Sequence, residues 1–126
     1  TQYNKTFRNL IGIDPEGKES GTGKYFIPAY NWTIWEAFFA LKSAIEKSGW
    51  TSKADTPKLI QILEKMSFKE SVEHPQGDKY IRAEDHISIT GLYVEKIENG
   101  EIKVVAKIPA KDTIYTPMAN RINESF

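Results

Sequence analysis

The sequence predicts three helices followed by a group of antiparallel strands, which by pattern alone is an α+β arrangement. Two observations carry that expectation. Apolar residues recur at helical spacing as far as Met66, and beyond it the period shortens to that of strands. The tetrapeptide Glu98-Asn99-Gly100-Glu101 then supplies the turn chemistry that closes a hairpin between two extended segments.

The first helix is expected from Tyr3 to Ile11, where Tyr3, Phe7, Leu10 and Ile11 share one side and Gly12 and Pro15 follow as stop signals. Residues 12–24 hold four glycines and many charges, which favours a loop. The second helix runs from about Tyr30 to Ser48 and ends at Gly49. Ile34, Trp35, Phe38, Leu41 and Ile45 form its expected buried stripe, with Glu36, Ser43 and Lys47 opposite. Trp32, Ala37, Phe39, Ala40 and Ala44 widen the apolar surface well beyond one stripe, so this helix asks for neighbours on several sides.

Thr56 is expected to cap a third helix, with Pro57 at its first position and Leu59, Ile62, Leu63 and Met66 facing inward. Strands are expected at Phe68–Val72, Lys79–Arg82, Ile87–Ile97 and Glu101–Ile108. From Pro109 onward no period is sustained, and this tail is expected to wrap over a surface. The chain thus divides into a helical part, 1–66, a strand part, 67–108, and a tail, 109–126.

A length of 126 residues suits one domain with a modest core. Seventeen basic and seventeen acidic residues cancel, so no large field favours nucleic acid or an anionic membrane. The absence of cysteine excludes a disulfide scaffold, a thiol nucleophile and a cysteine-ligated zinc. No apolar run approaches the ~20 residues that span a bilayer. No signal segment opens the chain, and an exported protein would have carried one upstream of Thr1.

Gly21-Thr22-Gly23-Lys24 invites a phosphate-loop reading, but Lys18 stands where the first glycine belongs and Tyr25 follows the lysine. A solvated loop fits better. His74, Asp78, Glu84, Asp85 and His86 carry metal-binding or acid–base side chains, yet at no compact ligand spacing. A turn around Pro75 and Gly77, with polar side chains bonding loop backbone, accounts for them. No metal and no cofactor is expected. Three glycosylation triplets, at Asn4, Asn31 and Asn123, are short enough to arise by chance. The aromatic group Tyr30, Trp32, Trp35, Phe38 and Phe39 is the most substantial candidate, because such rings suit both a core and a pocket wall. Phe38 and Phe39, deep in the helix, read as core.

Several blocks together resemble the last third of a known family. Phe7 through Pro15 looks like a helix and "G-x-x-P" loop; Trp35 through Gly49 looks like a long helix ending "A-I-E-K-[AS]-G". Thr56-Pro57 through Met66-Ser67-Phe68 and then Pro75-Gln76-Gly77-Asp78-Lys79-Tyr80-Ile81-Arg82-Ala83-Glu84-Asp85-His86 follow in the same order. This succession resembles the C-terminal part of branched-chain amino-acid-type ABC transporter substrate-binding proteins, the type I periplasmic binding proteins. The resemblance implies a two-lobed α/β parent fold that closes on a ligand, with the helical part in one lobe and the strand part in the other. It implies an amino acid or related small carboxylate as ligand, a membrane permease as partner, no bond-making chemistry, and a periplasmic, extracellular or lipoprotein-anchored location. An aromatic residue near the start of the long helix often lines the ligand in that family. Trp32 best matches the position, with Tyr30 and Trp35 as neighbours.

Two other readings compete. The same binding fold could serve a sensory or regulatory protein, for which a fused signalling domain would be the mark. A small metal-dependent hydrolase could use His74, Asp85 and His86, for which stoichiometric metal would be the mark.

Overall fold

Helices α1 (Gln2–Leu10), α2 (Ala29–Ser48) and α3 (Thr56–Leu63) precede five short strands in a computed structural model that describes residues 1–26 and 29–115. The side chain of Tyr30 and most of the expected tail, 116–126, lie outside the described residues. Strands β1 (Ser67–Phe68), β2 (Lys79–Ile81) and β3 (Ser88–Thr90) form one antiparallel sheet in that order, and β4 (Leu92–Glu98) pairs with β5 (Glu101–Ile108) in a second. The mixture of three helices and two small antiparallel sheets is the one expected.

Local chemistry explains most boundaries. The Thr1 hydroxyl accepts the Asn4 N–H at 3.3 Å and caps α1, one of the four donors a helix start leaves unpaired. Gly49, at φ +66°, ends α2 in the left-handed conformation that only glycine adopts without cost. Asn99 and Gly100, both at positive φ, make the expected two-residue hairpin loop between Glu98 and Glu101. Thr56 is the first residue of α3 and not its cap. A single 3-10 turn, Lys53–Asp55, leads into it, and the Asp55 carboxylate accepts the Thr51 and Ser52 N–H groups at 3.0 Å each.

Two expected strands are shorter than their sequence pattern. Extended structure after Met66 stops at Phe68, because the Asp78 carboxylate takes the Glu70 N–H at 2.8 Å and the Ser71 N–H turns back to the His74 carbonyl. The long segment 87–97 is split at Gly91, where the chain passes from one sheet to the other. A Cβ there would sit 3.0 Å from the Ile108 carbonyl oxygen, so the crossing leaves no room for a side chain.

The largest departure concerns which way α2 faces. Ile34 is 69% exposed, Phe38 65% and Leu41 44%, whereas Glu36, Ala44 and Ser48 are buried. Three of the five residues of the expected stripe therefore point outward, Trp35 and Ile45 are half-buried, and the side toward the protein is the row 36, 40, 44, 48. The helix is apolar nearly all round, so hydrophobic periodicity does not select a face. Two demands do select it. Small Ala40, Ala44 and Ser48 let α3 approach, and Glu36 is needed inside by Lys79 of β2. The side chains of that ion pair are 8% and 6% exposed, and the backbone N–H of Gln76 also donates to Glu36 Oε1 at 2.8 Å. Phe7 of α1, fully buried, closes the other end of the core against Trp35 at 5.4 Å between ring centroids.

Candidate functional site

The start of α2 faces a cavity of about 260 Å³ where the helical part meets the strand part. Asn4 and Arg8 of α1 form one wall, Glu16 and Tyr25 of the loop a second, and Trp32 the inner end. Glu70 and Gln76 come from the segment before β2, and Tyr93, Glu95, Ile102 and Val104 from the hairpin.

The hairpin reaches the cavity with both strands because of a bulge. Val94 pairs with Ala106 and Glu95 with Val104, so Val105 is the extra residue. Cross-strand partners share a face, so the slip places Ile102 and Val104 on the side of Tyr93, Glu95 and Lys107. Lys107 Nζ lies 5.3 Å from the Tyr93 ring centroid, and the Tyr93 hydroxyl donates to the Gln76 carbonyl at 3.1 Å. The phenol is thereby fixed with its ring at the cavity wall.

Trp32 is the expected ligand residue that this cavity contains. Its indole N–H is buried and, among the described residues, has no hydrogen-bond acceptor. An unpaired buried donor is costly, roughly 1–3 kcal/mol, and such groups mark places where a partner is missing. Trp35 lies elsewhere. Its indole N–H donates to the Val72 carbonyl at 3.0 Å and its ring packs on Phe7 and Phe39, which ties α2 to the 69–78 segment. Phe38, read as core, is on the outward face.

Arg8 and Tyr93 were not singled out by sequence. Arg8 Nε donates to Asn4 Oδ1 at 2.9 Å, a partner one turn away, and among the described residues the guanidinium has no carboxylate within ion-pair distance. The i, i+4 spacing of Asn4 and Arg8 was the available signal. The cavity therefore has mixed charge, with one guanidinium and the carboxylates of Glu16, Glu70 and Glu95.

The histidine–carboxylate group does not assemble. Asp85 is held by Arg82 through Nε and Nη2, which keeps its carboxyl below the usual range, and Arg82 Nη1 donates to the Tyr115 carbonyl at 2.6 Å. His86 meets Glu64 at 2.9 Å on the surface. His74 is buried against Phe68, with ring centroids 4.2 Å apart. Burial, and then the Lys79 ammonium, hold its pKa below the ordinary histidine value, with Glu36 opposing. Among the described residues no three histidine or acidic side chains gather as metal ligands, and no helix is long and apolar enough to cross a membrane.

No family model matches this chain, and no curated protein or solved structure matches it either.

Proposed function

We propose that the chain is the C-terminal piece of an extracytoplasmic solute-binding protein of an ABC importer, which holds an amino acid or similar small carboxylate between two lobes. The observation that carries this reading is Trp32, whose buried indole N–H has no acceptor among the described residues and lies at the wall of a mixed-charge cavity between the helical and strand parts. A guanidinium suits a carboxylate, neighbouring carboxylates suit an ammonium, and aromatic rings suit the side chain between them.

The outward stripe of α2 supports the same reading. Ile34 and Phe38, 69% and 65% exposed, make an apolar row left largely uncovered among the described residues. In a two-lobed α/β parent that row would lie against other elements of its lobe. Function would then be closure about a hinge, with ligand shifting the population toward the closed form offered to a membrane permease. No bond is made or broken on this reading, and the protein works in the periplasm or at the cell exterior.

The test is calorimetric titration of the full-length protein with amino acids and small carboxylates. Trp32→Phe, which removes the indole N–H and keeps a ring beside Phe7, should weaken binding at least about tenfold, the equivalent of one lost hydrogen bond, with thermal stability little changed. Unchanged affinity removes Trp32 from the site.

A further inference from the structure

We propose that a second cleft, lined by the Glu36–Lys79 pair, binds a small, flat, uncharged molecule bearing a hydroxyl group, with His74 as its hydrogen-bonding partner. The cleft has a volume of about 450 Å³ and lies between α2, α3 and the three-stranded sheet. Its walls are mostly apolar: Ala37, Ala40 and Leu41 from α2, Leu63 from α3, Phe68 from β1 and Ile81 from β2.

Three buried polar residues meet at one wall, His74, Glu36 and Lys79. Two of the three satisfy each other. Lys79 donates to one Glu36 oxygen, and the Gln76 N–H occupies the other. The third does not. His74 Nδ1 is buried and has no partner among the described residues. Its own backbone groups are fully engaged with Ser71 and Gly77, so the loop holds the ring against Phe68 without using the nitrogen. A rigidly placed heteroaromatic edge with an unfilled hydrogen-bonding position, set in an apolar wall, is the arrangement of a small-molecule site.

The charge balance selects the ligand class. Glu36 and Lys79 cancel, His86 is already paired with Glu64 at 2.9 Å, and a neutral His74 imidazole adds nothing, so the wall offers no net charge to an ion. An anion would have to lose its water beside the Glu36 carboxylate, and a cation beside the Lys79 ammonium; both are unfavourable. A hydroxyl can donate to or accept from Nδ1, and so serves either tautomer of the ring. The flat faces of Phe68 and His74 favour an aromatic body. This site shares no aromatic residue with the Trp32 cavity, and the proposal does not depend on the transport reading.

Phenol, toluene and benzoate separate the alternatives when titrated into the isotopically labelled full chain with backbone and methyl resonances followed. Phenol should shift the signals of His74, Ala40 and Ile81 saturably, with half-saturation roughly tenfold or more below that of toluene or benzoate. His74→Phe keeps the ring contact with Phe68 and removes the nitrogen, so it should erase the preference for phenol over toluene. If that variant does not fold, the three titrations of the unaltered chain still decide. Equal half-saturation for phenol and toluene, tighter binding of benzoate, shifts clustered around Trp32, or no saturable shift at all would each overturn the proposal.

Discussion

The two faces of α2 bury opposite kinds of residue from those that a soluble helix ordinarily sorts. Its inward row is a carboxylate, two alanines and a serine, at positions 36, 40, 44 and 48; its outward row is Ile34, Phe38 and Leu41. The inward row is held by specific pairing and close approach, with Lys79 and Gln76 on Glu36 and α3 against the small residues. The outward row leaves large apolar area exposed at Ile34 and Phe38, and Leu41 at its end lines the cleft beside α3 and the three-stranded sheet. Specific polar pairing, more than apolar area, therefore decides how this helix is docked.

If so, the inward row should be sensitive and the outward row tolerant. Glu36→Ala strands the Lys79 ammonium and should cost about 3–5 kcal/mol in chemical denaturation. In the 126-residue chain by itself, Phe38→Ser should cost within about 0.5 kcal/mol, as surface changes do. Equal losses at the two positions would mean that the outward row is covered, and the contrast would fall. Ala44→Leu, which overfills the α2–α3 contact, should cost about 1–3 kcal/mol by the same measurement. A neutral result there would show the contact to be loose.

A smaller effect sharpens the inward row further. His74 has a folded-state pKa below its ordinary value of 6.5, because burial and then Lys79 disfavour the imidazolium while Glu36 opposes them. The unfolded chain therefore binds the proton first, and this contribution to stability is complete above pH 6.5 and declines as pH falls below it. Denaturation midpoints measured from pH 7.5 down to 5 should fall for the native sequence and fall less for His74→Phe. The carboxylates with lowered pKa, Asp55, Asp78, Asp85 and Glu98, act in a more acidic window.

Much of the backbone was legible in the chain. The helix limits at Gly12 and Gly49 and the Asn99-Gly100 turn follow from local steric rules that tertiary context did not override, whereas α3 ends at Leu63 with its expected inner residues half-buried and Met66 buried beyond its end. The orientation of α2 was not legible, because Trp32, Phe39 and the alanines blur the periodic signal and the deciding partner, Lys79, is 43 positions away. Likewise the break at Gly91 depends on the approach of Ile108, and the end of β1 on Asp78, both remote in sequence. Of the candidate residues, Trp32 lies in a cavity and Trp35 serves the join between α2 and the Val72 segment. Arg8 escaped notice because one arginine on a short helix carries no pattern of its own.

The three tryptophans permit the most direct test of the proposed site. The indole N–H groups of Trp35 and Trp50 are already bonded, to the Val72 carbonyl and the Thr56 hydroxyl, while that of Trp32 has no acceptor among the described residues. The indole region of a nitrogen–proton correlation spectrum can be followed as amino acids and small carboxylates are added to the full-length protein. The Trp32 signal should move saturably with the ligand, and the Trp35 and Trp50 signals should stay in place. Movement of Trp35 or Trp50 with Trp32 unmoved, or three unmoved signals across the whole panel, would contradict the account.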